Sequence, residues 1–196
     1  MYRKNHKDEF YTIKAKKERY PARSVYKLQE IDEKFKIFKK EDNVLDLGSA
    51  PGSWLLYILK KVGEKGKVFG VDIEDIKIPK KTNIIFIKKD IADLKESDFG
   101  GKFQVVVADL APKTTGIKSL DVERSLNLSK KALEIAKRIL VLGGNFVCKV
   151  FEGEGVDEFF KKVATNFGTT KRFRPKAVIK GSKEFYIVAK GFGARH

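Results

Sequence analysis

The sequence predicts an α/β fold in which helices cover both faces of a mostly parallel sheet. Short apolar runs alternate with segments of helical spacing along most of the chain, and this alternation is typical of doubly wound sheets. Several of the runs end in an acidic residue or in glycines, which is where such sheets bind ligands. The length of 196 residues suits one domain with its own core.

Six apolar runs are predicted as strands and four segments as helices. The strands are Asn43–Leu47, Lys67–Val71, Asn83–Ile87, Phe103–Ala108, Asn145–Val150 and Glu184–Ala189. The helices are Ala22–Phe38, Trp54–Val62, Asp121–Leu140 and Val156–Asn166. The longest helix has an apolar face, and Gly143 and Gly144 follow it as a stop signal.

The net charge indicates a polyanionic partner. The chain has 42 Lys and Arg against 26 Asp and Glu, a balance of +16, which favours nucleic acid or an anionic membrane surface. A lysine-rich surface of the thermophilic kind is the alternative, but it usually raises Glu together with Lys. Residues 1–40 are expected to form a basic extension and helix and residues 41–192 the catalytic core, all within a single domain, 1–196.

Several classes of protein are disfavoured. The lone Cys148 rules out an internal disulfide framework, and His6 and His196 lie at the two ends of the chain, so neither a metal site nor a catalytic histidine is expected. Because no apolar run approaches the roughly 20 residues of a membrane span and the N-terminus is charged, we expect a cytoplasmic protein with no membrane contact.

Acidic residues and a glycine turn follow the first four predicted strands. The turn reads DLGSAPGSW, residues 46 to 54, and it has neither the GxGxxG spacing of dinucleotide enzymes nor a Walker lysine. Asp72, Asp90 and Asp109 follow the second, third and fourth strands. A single acid at such a place is more often a helix cap or a turn residue. Three acids and a glycine turn at one sheet edge favour a ligand that carries a nucleoside.

Three more charged residues interrupt apolar patterns. Lys149 lies within the apolar run NFVCKVF, and a buried ammonium group is costly unless it is paired. Lys27 lies in RSVYKLQEID, and Glu184 opens the last strand. Each of the three could instead be an ordinary surface charge.

Five segments carry a resemblance to a known family. They read ARSVYKL, DLGSAPGSW, ADLAPKTTG, CKVFEGEG and GSKEFYIVAKGF, and they cover about residues 20 to 192. In order and spacing they resemble the FtsJ/RrmJ-type ribosomal RNA 2'-O-methyltransferases, in an archaeal-type form. The resemblance implies a Rossmann-like fold that binds S-adenosyl-L-methionine on a mostly parallel sheet of seven strands, with Thr169–Phe173 and Glu184–Ala189 as the last two.

The resemblance also implies the site residues. The implied catalytic residues are Lys27, Asp109, Lys149 and Glu184. The implied cofactor-binding residues are Gly52, Trp54, Asp72, Asp90 and Asp109, with a place in the core as the alternative for Trp54.

The implied reaction is the attack of a ribose 2'-oxygen on the methyl group of the cofactor sulfonium. Lys149 is the candidate base, favoured as a neutral amine by burial and by the nearby Lys27, and opposed by Asp109. The implied substrate is ribosomal RNA, with uridine as the base and the large ribosomal subunit as its context, and the enzyme is expected to be a monomer.

Two alternatives remain open. A transfer RNA ribose methyltransferase of the anticodon loop would share the same motifs. A non-catalytic RNA-binding protein on this fold would be expected to lack at least one of the four catalytic residues, and all four are present. The glycine spacing disfavours a nicotinamide oxidoreductase, and the first helix lacks the large exposed apolar face of a membrane-surface helix.

Overall fold

The computed structural model describes residues 6–112 and 115–194, and its centre is a seven-stranded sheet. Its strands are β1 (Asn43–Leu47), β2 (Lys67–Asp72), β3 (Ile84–Lys88), β4 (Phe103–Ala108), β5 (Leu140–Phe151), β6 (Phe167–Phe173) and β7 (Glu184–Phe192). Its helices are α1 (His6–Lys17), α2 (Val25–Phe35), α3 (Ser53–Val62), α4 (Lys118–Ile139) and α5 (Val156–Ala164). His196, and Lys113 and Thr114 of the ADLAPKTTG motif, lie outside the described residues.

The strand order is β3-β2-β1-β4-β5-β7-β6, and only β7 runs against its neighbours. The predicted α/β fold with a mostly parallel sheet is therefore confirmed. The order reverses between β1 and β4, and a crevice opens at such a switch point beyond the carboxyl ends of the strands. The residues that follow these two strands are brought together there.

The side chains of the sheet alternate between two apolar cores. One core lies under α4 and α5 and includes Phe103, Phe146 and Cys148; burial raises the pKa of the Cys148 thiol. The other lies under α2 and α3 and includes Leu28 and Tyr186. Successive strand residues point to opposite faces, so each long strand contributes to both cores.

Two segments differ from the sequence prediction. Helix α1 was not predicted, because its apolar residues do not form one face; it contacts the core through Ala15, while Phe10 and Ile13 are exposed. Strand β5 begins at Leu140, directly after α4. Gly143 therefore does not stop the helix: it lies inside β5 with a φ of 80°, where the register against β4 shifts.

In the described part of the chain no helix is long and apolar enough to cross a membrane.

A buried carboxylate fixes the end of α2 against α3. Asp32 accepts hydrogen bonds from the backbone N–H of Ile37 at 3.0 Å and from the Tyr57 hydroxyl at 2.9 Å. It also lies 2.8 Å from the Lys61 ammonium. Lys36 adopts a left-handed conformation with a φ of 53° and ends the helix, so the carboxylate satisfies donors that the turn leaves exposed.

Replacing Asp32→Ala is expected to lower the free energy of unfolding by about 2 to 4 kcal/mol, because buried donors lose their acceptor. Urea unfolding measures the change. Glu33→Ala, at the exposed neighbouring position, is the matched control and should change stability by less than about 0.5 kcal/mol. Equal stabilities for the two variants would contradict this account of Asp32.

Candidate active site

Two buried ion pairs lie side by side at the carboxyl edge of the sheet. The Lys27 ammonium is 2.6 Å from the Glu184 carboxylate, and the Lys149 ammonium is 3.0 Å from the Asp109 carboxylate. The four side chains are only 6% to 14% exposed. The four residues that the family resemblance selected are thus brought together, and the surface-charge alternative is excluded for Lys27, Lys149 and Glu184.

The strand pairing explains how these residues meet. Asp109 follows β4 directly, and the last pair of the β4–β5 ladder, Ala108 with Cys148, places Lys149 beside it. Because β7 is antiparallel to β5, its first residue, Glu184, pairs with Phe151 near the carboxyl end of β5. Lys27 reaches across from the first turn of α2.

Tyr186 joins the two ion pairs, and the sequence reasoning missed it. Its hydroxyl lies 2.8 Å from the Asp109 carboxylate and 3.1 Å from the Glu184 carboxylate. A phenol has one hydrogen to donate, so it binds one carboxylate at a time and couples the pairs. The signal was available: Tyr186 lies two residues after Glu184 in a strand, hence on the same face.

The two lysines decide the charge state of Asp109. Burial raises the pKa of this carboxyl group. The opposing effects are together larger: the charges of Lys149 and Lys27 lower the pKa, and so do the hydrogen bonds from Lys149 and Tyr186. The pKa of Asp109 therefore lies below its ordinary value. Burial and the two facing carboxylates raise the pKa of the Tyr186 hydroxyl well above its usual range. At neutral pH Asp109 is therefore ionised, and Tyr186 is a neutral donor.

A cleft of about 360 Å³ adjoins the ion pairs at the switch point. Among its lining residues are Gly48, Asp72, Asp90 and Asp109, so Asp109 belongs both to the cleft and to the ion pairs. The other two acids also have local structural roles: Asp72 accepts from the backbone N–H of Glu74 at 2.9 Å, and Asp90 caps the short helical turn that follows β3. The capping and the ligand-binding interpretations of these acids are compatible.

Gly48 and Gly52 shape the turn that leads into α3. Both have positive φ values, 80° and 108°, which glycine adopts without strain. A Cβ atom on Gly48 would lie 3.1 Å from a methyl carbon of Leu110, and one on Gly52 would lie 2.7 Å from a methyl carbon of Ile78. The turn is therefore packed too closely for larger residues.

The Trp54 side chain lies in the core. It is 2% exposed, its indole N–H donates to the Ser24 carbonyl at 3.0 Å, and its ring lies 6.1 Å from that of Tyr186. The side chain therefore links the start of α3 to the start of α2 and packs beside Tyr186. Binding of the cofactor by Gly52 and Trp54 stays a prediction. Because the Trp54 side chain is buried, these residues would bind through their backbone at the start of α3.

Asp46 on β1 is an uncompensated acid of the site. It is fully buried, and within residues 6–112 and 115–194 neither of its carboxyl oxygens has a hydrogen-bond partner. Burial raises its pKa well above the ordinary value, and the carboxylates of Asp109 and Asp72 raise it further. A buried orphan acid next to two other acids indicates a place built for positive charge.

The comparisons with known proteins agree with this architecture. The family model described as FtsJ-like methyltransferase matches residues 20–192. A protein named ribosomal RNA large subunit methyltransferase E from Desulfatibacillum aliphaticivorans is 45% identical over 183 residues, 92% of this chain and 88% of that one. A protein of the same name from Nitratidesulfovibrio vulgaris (strain DP4) is 42% identical over 194 residues, 96% of this chain and 95% of that one.

A solved structure shares the fold as well. The crystal structure of a ribosomal RNA methyltransferase from Plasmodium falciparum has a TM-score of 0.78 and 27% identity, and it covers 90% of this chain and 100% of its own. The two relatives compared by sequence are bacterial and do not support the expected archaeal type. The match over most of the chain confirms the resemblance: the chain belongs to the FtsJ-like methyltransferase family.

Proposed function

We propose that the protein transfers a methyl group from S-adenosyl-L-methionine to a ribose 2'-hydroxyl in large-subunit ribosomal RNA, with uridine as the modified nucleotide. The observation that carries this proposal is the double role of Asp109. It lines the strand-end cleft and holds the Lys149 ammonium at 3.0 Å. Asp109 therefore connects the proposed proton acceptor, Lys149, with the cleft proposed for the cofactor.

The residues of the cleft fit S-adenosyl-L-methionine. This cofactor is cationic at its sulfonium and its amino group, and the ionised Asp109 in the wall of the cleft suits positive charge. Asp46 is buried close enough to Asp109 and Asp72 to feel their charges. Asp72 and Asp90 line the same cleft and can accept hydrogen bonds from the adenosine part. When bound, S-adenosyl-L-methionine supplies a methyl group on a positively charged sulfur, ready for transfer to an oxygen nucleophile.

Lys149 is proposed to take the proton of the 2'-hydroxyl. Its ammonium donates both to the Asp109 carboxylate and to the Asp109 carbonyl, each at 3.0 Å, so two acceptors fix its position. Asp109 stabilises the ammonium that forms when the amine accepts a proton. The step requires this amine in its neutral form.

Lys27, Glu184 and Tyr186 are proposed to position the hydroxyl. Lys27 and Glu184 form one ion pair, and Tyr186 connects it to the other. A rigid set of donors and acceptors aligns a weak nucleophile, and alignment contributes more to such a reaction than the base does.

The basic surface supports an RNA substrate. From Lys171 to Lys183 the chain has six basic residues and no acid, and this segment leads directly into Glu184. Arg19 and Arg23 precede Lys27 on the other side of the site. Lysine and arginine near phosphates give affinity without sequence preference, so the choice of large-subunit RNA rests on the names of the two relatives. A monomeric, cytoplasmic, metal-independent enzyme whose residues 1–196 form one domain completes the proposal.

The substrate class is tested with labelled S-adenosyl-L-methionine. Purified protein is given separate pools of large ribosomal subunits, free ribosomal RNA and transfer RNA, all lacking the modification. Label in ribosomal RNA is expected. Label in transfer RNA alone would replace the substrate, and no label in any pool would favour the non-catalytic alternative.

Replacing Lys149→Ala is expected to lower kcat at least about 100-fold, because the proposed base is lost. Calorimetry should show that binding of the cofactor is retained. Lys102→Ala, at an exposed lysine, serves as the control and should transfer at the wild-type rate. Near-normal turnover of Lys149→Ala would exclude Lys149 as the base.

Replacing Tyr186→Phe is expected to lower kcat about tenfold while the ring keeps its place in the core. Because the hydroxyl helps to lower the pKa of Asp109, its removal should raise that pKa and shift the acid limb of the pH–rate profile to higher pH. Tyr20→Phe, whose hydroxyl binds the exposed Lys60 ammonium, is the matched control. An unshifted acid limb would contradict the coupling.

Replacing Asp46→Asn is expected to stabilise the free protein and to weaken cofactor binding about tenfold. The folded-state pKa of Asp46 is raised, so the wild-type protein loses stability relative to the variant as the pH rises above about 4, by up to about 1.4 kcal/mol per pH unit. Urea unfolding at several pH values measures the difference. Asp75→Asn, an exposed control, should change neither property, and a pH-independent gain for Asp46→Asn would refute the assignment.

A further inference from the structure

A second groove lies on the α2 side of the sheet, next to the ion pairs. It is lined by three aromatic rings and three lysines, and its volume is about 520 Å³. We call it the α2–β6 groove and define it by Tyr11, Lys14, Tyr26, Lys34, Phe173 and Lys176. Neither the reaction chemistry nor the cofactor cleft uses these residues.

The α2–β6 groove is in register with the proposed catalytic residues. Phe173 on β6 pairs with Tyr186 on β7, and Tyr186 pairs with Lys149 on β5. Residues that pair directly share a face of the sheet, and adjacent strands are about 4.8 Å apart, so the backbone of Phe173 lies roughly 10 Å from that of Lys149. On the helix side, Tyr26 immediately precedes Lys27. The groove is therefore adjacent to the ion pairs on both the strand side and the helix side.

The half-buried rings of Phe173 and Tyr11 can accept a flat or cationic group, whereas Tyr26 is only 2% exposed. The Lys34 ammonium lies 4.6 Å from the centroid of the Phe173 ring, and the Lys14 ammonium lies 4.6 Å from that of Tyr26. Tyr11 packs against Tyr26 with ring centroids 5.3 Å apart. Lys34 is exposed and has a flexible stem, so it can leave the ring face to a nucleobase and move to a phosphate.

The acids of the groove are already engaged. The Glu30 carboxylate accepts hydrogen bonds from the backbone N–H groups of Lys176 at 2.6 Å and Ala177 at 2.9 Å. Glu33 accepts from the Gln29 side chain at 2.8 Å. These contacts fix the β6–β7 loop against α2. The donors are neutral, so both glutamates keep their charge, and three lysines against two glutamates give the groove a net charge of +1.

We propose that the α2–β6 groove binds a nucleotide adjacent to the methylated one, with its base stacked on Phe173 and its phosphate held by Lys34 and Lys176. This inference rests on the proposed function, because it takes the strand that enters the site to be RNA. Unpaired bases stacked on aromatic rings with flanking basic side chains are the usual mode of single-strand recognition.

The test measures RNA binding and catalysis separately. Phe173→Leu keeps an apolar side chain but removes the stacking face, and Phe192→Leu, at a half-buried ring of β7 beside Phe167, is its matched control. The affinity of each protein for a short fluorescent single-stranded RNA is measured, followed by kcat and KM on large subunits that lack the modification. Thermal unfolding checks that each variant is folded.

Phe173→Leu is expected to raise both the Kd for the RNA and the KM about tenfold, with kcat within about twofold of wild type and Phe192→Leu unchanged. A second variant removes charge without touching the core: Lys34→Gln with Lys176→Gln should weaken binding and reduce its dependence on salt. Its control replaces two exposed lysines at the opposite sheet edge, Lys65→Gln with Lys81→Gln.

The outcomes separate the two proposals. Wild-type methyl transfer with unchanged Kd and KM in both groove variants would overturn the groove and leave the proposed function intact. Groove-dependent RNA binding by a wild-type protein that transfers no methyl group would support the groove and overturn the proposed function.

Discussion

The structure depends on the compensation of buried charge at one edge of the sheet. Two ammonium groups lie almost out of contact with solvent, which would be prohibitive without a carboxylate within about 3 Å of each. Meeting this requirement takes one helix, α2, and three strands, β4, β5 and the antiparallel β7, whose first residue lies at the carboxyl end of β5. Removing any one member would leave an unpaired charge, so the contacts proposed to serve the reaction also make the geometry of the site rigid.

Acidic and basic side chains are not evenly distributed around the site. Asp46 is buried and has no hydrogen-bond partner in the part of the chain that the structure describes; burial raises its pKa, and Asp109 and Asp72 raise it further. The strand-end cleft, where the cofactor is proposed to bind, thus has an excess of acid, whereas the lysines gather on the side where RNA is proposed to enter. A cationic cofactor and a polyanionic substrate are each drawn to the side of opposite charge, and Asp109 stands between the two.

The sequence predicted those parts of the molecule that local pattern determines. Strand ends, the glycine turn and the four charged residues lie in short motifs, and the structure brings them together. What sequence missed depends on tertiary contacts. The bridging role of Tyr186 depends on the pairing of β7 with β5. The buried position of Trp54 depends on the packing of α3 on α2. Helix α1 depends on contacts with the core that its irregular apolar pattern does not reveal.

The most direct test of the central claim is the chemical position of the transferred methyl group. RNA labelled by the protein from S-adenosyl-L-methionine is hydrolysed in alkali, which cleaves a phosphodiester only where a free 2'-hydroxyl lies beside it. The account predicts that the label is recovered in alkali-resistant dinucleotides, because the methylated 2'-oxygen cannot attack its phosphate. Label recovered in mononucleotides would place the methyl group on a base and contradict the account.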